Sequence, residues 1–157
     1  MARLTHVDSD GAVRMVDVTD KKVTRREAMA AGEIHLNPET IELITRGKVP
    51  KGNVLETARI AGIMAAKRTA DIIPLCHSLS VTGVELVFEV GLDRIEATAR
   101  VAVPERTGVE MEALSAVCVS LLTVYDMCKA VDKEMVIGQI RLLEKTGGSA
   151  GANIREN

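Results

Sequence analysis

From Thr107 to Lys133 the chain is almost unbroken apolar sequence, with ionisable residues only at its two ends. Glu110 and Glu112 stand at the front, and Asp126, Lys129, Asp132 and Lys133 at the back. An α-helix turns about 100° per residue. Counted from Glu112, the positions Ser115, Ser120, Thr123, Asp126, Lys129 and Lys133 therefore share roughly half of the circumference. The remainder, including Val117, Cys118, Leu121, Val124 and Cys128, is core material. A helix this apolar is buried over most of its girth. Its polar stripe must then line water, a partner subunit or a pocket.

What precedes this helix reads as a hairpin. Val84, Leu86, Phe88 and Val90 alternate with Glu85 and Glu89, and Gly91-Leu92-Asp93 makes a turn. Ile95, Ala97, Ala99, Val101 and Val103 then alternate with Glu96, Thr98 and Arg100, one face in and one face out. Pro104 closes the pair, and Thr107-Gly108-Val109-Glu110 fits a capping box for the long helix. Met135 to Leu143 reads as a last strand. Earlier, Asn37-Pro38-Glu39 starts a helix that stops at Gly47, and Asn53 with Glu56 starts a second. The middle of that second helix, Ile60 to Ala66, has no polar face and is expected to be enclosed, its small residues admitting another helix closely. With Arg14 to Val18 and Val23 to Leu36 as one or two further strands, the order is β–α–β–β–α–β with an extra early helix. That is an α+β fold of the ferredoxin-like, split-βαβ kind, with helices on one face of an antiparallel sheet.

The 157 residues suit a single domain over 1–157, with 147–157 as a flexible glycine-rich tail. A net charge of −2 supplies no global basic field for nucleic acid, and one Phe, one Tyr and no Trp leave no stacking platforms. Cys76, Cys118 and Cys128 form no CxxC, and an odd count argues against a disulfide framework. The start lacks an apolar signal core, and no stretch reaches membrane-spanning length without charge, so a cytoplasmic protein that avoids membranes is expected.

Several residues invite chemistry. Asp126 and Lys129, three apart, lie side by side on a helix. They form either a surface ion pair or a proton-exchanging pair in a partly dry pocket, where desolvation lowers the lysine pKa and the carboxylate counters it. Glu112 is fourteen residues before Asp126, about 21 Å along a helix, so the two reach one small substrate only across a subunit interface. Glu110 has a structural role ready as the capping-box acid. Lys51, in the loop before a helix start, suits a phosphate as well as it suits plain exposure. His77 follows Pro74-Leu75-Cys76; a hydrogen-bonded structural histidine is the plainer reading. No second Cys/His pair completes a metal site, and neither GxxxxGK[ST] nor GxGxxG is present.

Longer motifs narrow the choice. Met15 to Lys21, Ala58 to Ile63 with Ala65 to Thr69, Ile73 to His77, Thr107 to Leu114 and Tyr125 to Val131 together resemble the cyclic pyranopterin monophosphate synthase family, the C proteins of molybdenum cofactor biosynthesis. The likeness covers nearly the whole chain. It implies a ferredoxin-like fold and a homo-hexamer built as a trimer of dimers, with active sites at dimer interfaces. It implies a lyase that converts 3',8-cyclo-7,8-dihydroguanosine 5'-triphosphate, derived from GTP, to cyclic pyranopterin monophosphate and pyrophosphate. It makes Asp126 and Lys129 the proton-transfer pair and puts Lys51 and His77 at triphosphate-handling positions. Leu75, Cys76 and His77, with Glu110, Met111 and Glu112, match substrate-contacting stretches; Lys21, Arg26, Lys67 and Lys145 match further cationic positions. Ser78 replaces a frequent proline, and the tail lacks a frequent lysine. No cofactor is expected, with Mg²⁺ accompanying the phosphates left open. The alternatives are a non-catalytic module that binds nucleotide triphosphates and a thiol-dependent metal protein.

Overall fold

The computed structural model describes residues 6–148 and 151–154. Its frame is an antiparallel sheet in the order β2-β3-β1-β4-β5. The strands are β1 (Thr24–His35), β2 (Gly83–Val90), β3 (Arg94–Glu105), β4 (Val136–Thr146) and β5 (Asn153–Ile154). The helices are α1 (Pro38–Thr45), α2 (Val54–Lys67), the single-turn α3 (Thr69–Ile72) and α4 (Glu110–Cys128). Because β1 and β2 each run antiparallel to β3 between them, β1 to β4 form the expected split-βαβ arrangement.

The alternation read from the sequence sorts the two faces. Ile95, Ala97, Ala99, Val101 and Val103 of β3 are buried under the helices, as are Ala28, Ala30 and Ile34 of β1. The opposite face carries no helix. It holds cross-strand charge pairs instead, Glu27 with Arg100 and Glu96 with Arg141 at 3.9 Å, and along β1 a hydrogen bond of 2.9 Å between Glu33 and His35. Such pairs let a half-wet sheet face stay polar. Across the centre of the sheet α4 lies on Gly32, where a Cβ would stand 2.9 Å from Val117 Cγ1. By length and apolarity α4 could cross a membrane. Here Val117, Leu121 and Val124 are fully buried on it instead, the situation of a core helix.

Several expectations need correction. Arg14–Val18 is not a strand: β1 already has β3 and β4 on its two edges, and only an isolated Val7–Val13 bridge forms in this arm. Val23–Leu36 gives one strand, and the last strand extends to Thr146. α2 is not enclosed, since the helices form the outermost layer: Ile60 is 59% and Met64 47% exposed. Its close approach to α4 does occur, at Gly62 against Ala116 and Ser120, with Val54, Ala58 and Ala66 buried on the same line of α2. The capping box does not form. Val109 is the N-cap without a side-chain bond, and Glu110 turns to Lys145 Nζ at 2.9 Å. The long helix ends at Cys128, which leaves Asp132 and Lys133 beyond it. Of the segment expected as a tail, Gly147 and Gly148 pack on Arg25 and Arg26, and Asn153–Ile154 pair with Glu144–Lys145. Ser149, Ala150 and 155–157 lie outside the described residues.

Candidate active site

The polar stripe of α4 is divided in three. Its middle is covered within the chain: Ser115 and Ser120 are buried, and Ser120 Cβ lies beneath Gly62 of α2. Only the two ends remain open for chemistry, about 21 Å apart by helical rise.

At the back end, Asp126 lies in the last turn and Lys129 is the C-cap. Lys129 Nζ is 2.7 Å from Asp126 Oδ1. Lys51, reaching over from the α1–α2 loop, donates to both Oδ2 and the backbone carbonyl of Asp126, each at 2.8 Å. That carbonyl is among the last of α4, which have no partner inside the helix, so the ammonium also meets the negative end of its dipole. The hydrogen bond from Lys129, then that from Lys51, holds the Asp126 carboxyl down at about 2. Lys129 is pushed up, chiefly by its bond to Asp126. The partly dry pocket expected here is not formed by one chain. All three side chains are about half exposed, so the carboxylate prevails over desolvation and the lysine pKa rises instead of falling.

At the front end a cavity of about 580 Å³ opens between three segments. Glu110, Met111 and Glu112 from the first turn of α4 line one side, and Leu75, Cys76 and His77 another. The N-terminal arm supplies the expected Lys21 and, beside it, Val16 and Val18, which the sequence did not point to. His77 Nε2 is 2.8 Å from the Val16 carbonyl, which makes Nε2 the donor in that bond. Glu112 is 3% exposed and has no side-chain partner among the described residues. Burial, with the Glu110 charge adding to it, raises its pKa. Burial also raises the Cys76 thiol, with Glu112 contributing.

The cations differ in how free they are. Lys67, last in α2, lines a smaller cavity of about 60 Å³ that His77 and Glu112 also line. Lys145 is paired with Glu110. Arg26 is tied to the backbone, with Nε bonded to the Glu105 carbonyl at 3.3 Å and Nη2 to that of Arg106 at 3.1 Å. One chain thus gathers Lys21, Leu75, Cys76, His77, Glu110, Met111 and Glu112 at one cavity, with Lys67 and Lys145 beside it. Lys51, Asp126 and Lys129 stand apart at the other end. Among the described residues no three His, Cys, Asp or Glu side chains cluster as metal ligands. Asp132, which the sequence reading placed at the back of the long helix, is buried and bonded to Asn37.

Several known proteins are similar to this chain over nearly its whole length. A cyclic pyranopterin monophosphate synthase of Pelotomaculum thermopropionicum is 57% identical over 153 residues, 96% of this chain and 90% of that protein. One of the same name from Magnetococcus marinus is 55% identical over 158 residues, 99% and 97% of the two chains. A molybdenum cofactor biosynthesis bifunctional protein of Chlorobaculum tepidum is 57% identical over 148 residues, 94% of this chain and 47% of its own length. The model of the MoaC family matches residues 15–148, from the arm that walls the cavity to just past the end of β4. A family model matching residues 15–148 and identities of 55–57% over nearly the whole chain leave one assignment: this chain belongs to the MoaC family.

Proposed function

We propose that the chain catalyses formation of cyclic pyranopterin monophosphate from 3',8-cyclo-7,8-dihydroguanosine 5'-triphosphate, releasing pyrophosphate, as a lyase of molybdenum cofactor biosynthesis. One observation supports this beyond family membership: α4 carries two chemically complementary half-sites. The front end offers a half-open cavity with the buried Glu112 carboxyl and the backbone-oriented His77, suited to the N–H-rich edge of a guanine-derived ring. The back end offers two ammonium groups and a strongly acidic carboxylate.

The division of labour follows from these groups. Lys129, protonated and held by Asp126, serves as general acid and, after giving up its proton, as base in the ring rearrangement. Closing the cyclic phosphate forms one P–O ester bond and breaks the bond to the leaving pyrophosphate, with no change of oxidation state. Lys51 and His77, with Lys21, Lys67, Arg26 and Lys145 nearby, meet the growing phosphate charge. Leu75, Cys76, Glu110 and Met111 shape the base end.

Because the half-sites of one chain are about 21 Å apart, each complete site joins the back end of one subunit to the front end of another. Exposed Ile60, Met64 and Leu122 on the outer helical layer are apolar surface for such contacts. A hexamer built as a trimer of dimers meets the requirement. A nucleotide-derived substrate and three free thiols suit the cytoplasm. Activity with and without chelator tests whether Mg²⁺ accompanies the triphosphate.

The decisive assay incubates the protein with the cyclised nucleotide, identifies the product and measures pyrophosphate. Binding without conversion would instead favour a non-catalytic nucleotide-binding module. Lys129→Ala should abolish turnover with the oligomer intact, and retained turnover removes Lys129 from the mechanism. Mixing Asp126→Ala with Glu112→Ala subunits should restore activity absent from either alone. No restoration refutes the shared site.

A further inference from the structure

Asp132 is only 2% exposed, and among the described residues its carboxylate meets only neutral N–H groups. Oδ2 accepts from the Asn37 backbone N–H at 2.8 Å. Oδ1 accepts from Asn37 Nδ2 at 3.1 Å and from the Glu134 N–H at 3.0 Å. A helix-following turn needs no buried charge, and burying one is unfavourable unless its oxygens are well bonded. The place where this one is buried gives it a use. The Asp132 backbone N–H returns to the Cys128 carbonyl at 3.0 Å, as does that of Val131 at 2.9 Å, while the Lys129 N–H bonds the Tyr125 carbonyl at 2.9 Å. Lys129 therefore sits in a short turn anchored at α4 on one side and at Asp132 on the other.

The partner of Asp132 matters equally. Asn37 is the N-cap of α1, its carbonyl accepting from Thr40 and Ile41, and the chain beyond α1 leads to Lys51. Two contacts close these segments into a ring, Asn37 with Asp132 and Lys51 with Asp126. We infer that Asp132 is a positioning residue: through Asn37 it holds the turn bearing Lys129 in register with the segment bearing Lys51, so that both ammonium groups meet Asp126. The use of this register in catalysis rests on the proton-transfer reading above; the register itself does not.

The test keeps the two apart. Asp132→Ala, Asp132→Asn and Asn37→Ala are prepared as full chains. For each, kcat, KM, melting temperature and the NMR titration of Lys129 with ¹³Cε-labelled lysine are measured. Lys129 faces Asp126 and Tyr125 from α4, with Lys51 on the far oxygen of Asp126. Losing the clasp lets Lys129 leave Asp126, so its titration should move down toward that of an ordinary lysine. Misplacement of this kind should lower kcat about tenfold or more while KM changes less. Asn37→Ala removes one of the three donors and should shift the same quantities less. Asp132→Asn, which keeps one acceptor oxygen, should retain more activity than Asp132→Ala. Val101→Ala, a core truncation far from the turn, should lower the melting temperature without moving the Lys129 titration. If Asp132→Ala proves insoluble, Asn37→Ala carries the same comparison. Loss of melting temperature with an unmoved Lys129 titration overturns the inference. A moved titration in a protein whose Lys129→Ala variant keeps turnover upholds the clasp and refutes the proton-transfer reading instead.

Discussion

Gly62→Ala puts two well-characterised effects in opposition. In the interior of a helix, alanine is favoured over glycine by about 1 kcal/mol, so propensity alone predicts stabilisation. Packing predicts the reverse. A Cβ at this position would lie 2.8 Å from the Ala116 carbonyl oxygen and 3.3 Å from Ser120 Cβ, and closer still to Leu86 Cδ1. Comfortable heavy-atom contacts begin near 3.5 Å. Leu86 is buried and has little room to turn away. The Ala116 oxygen belongs to the α4 backbone, so relief requires lifting α2 by roughly half an ångström or more. That separation weakens the contacts of Val54, Ala58 and Ala66 along the same line. Overpacking of this kind costs about 1–3 kcal/mol, and a backbone neighbour puts it in the upper part of that range. Setting the propensity gain against it leaves a net destabilisation of about 1–2 kcal/mol, a fall of roughly 2–8 °C in melting temperature for a chain of this length. The assay is thermal unfolding at matched protein concentration, because an oligomer's melting point depends on it. A higher melting point for Gly62→Ala would refute the close-approach argument, since only propensity would then be acting.

Three more outcomes are expected. The depressed pKa of Asp126 means that its contribution to stability is present above the ordinary carboxyl value of 3.8 and is lost as pH falls through about 2. A ¹³C titration of its carboxyl with a midpoint at or above 3.8 would contradict the double pairing. For Glu112 the sign is opposite: its raised pKa makes the folded chain lose stability as pH climbs from the ordinary value of 4.5 through the raised one. Glu112→Gln should therefore raise the melting temperature at pH 8 and leave it unchanged at pH 4, while impairing substrate binding; equal shifts at both pH values would exclude a buried charge as the cause. Gly148 has φ +80° and packs on the Arg26 guanidinium, so Gly148→Ala should destabilise by about 1–2 kcal/mol from backbone strain, before any displacement of Arg26 is counted. An unchanged melting point would mean that this segment does not hold Arg26.

Much of the fold was legible because burial on one face leaves a period-two trace. Each inward residue of β3 from Ile95 to Val103 was identified by alternation alone, and the Gly91-Leu92-Asp93 turn fixed the hairpin. Asn53 was legible as a cap because its partner, the Glu56 N–H, is three residues away. Where the partner was distant, the local reading failed. Glu110 looked like a capping acid but found Lys145, thirty-five positions on. Asp132 continued the helical pattern on paper, yet the chain leaves α4 at Cys128 and gives its carboxylate to Asn37, ninety-five positions back.

The sequence by itself determined the alternating sheet, the buried α4, the separation of its polar ends and the motifs that carry the family likeness. These follow from spacing along one chain, which a helix or strand converts directly into position. Only the tertiary structure decided which charges meet. Lys51 looked equally suited to a phosphate or to water; the α1–α2 loop brings it onto Asp126, seventy-five residues away. Placed there, it competes with Lys129 for one carboxylate and helps set that carboxyl's acidity, because ionic contacts depend on distance through space and not along the chain.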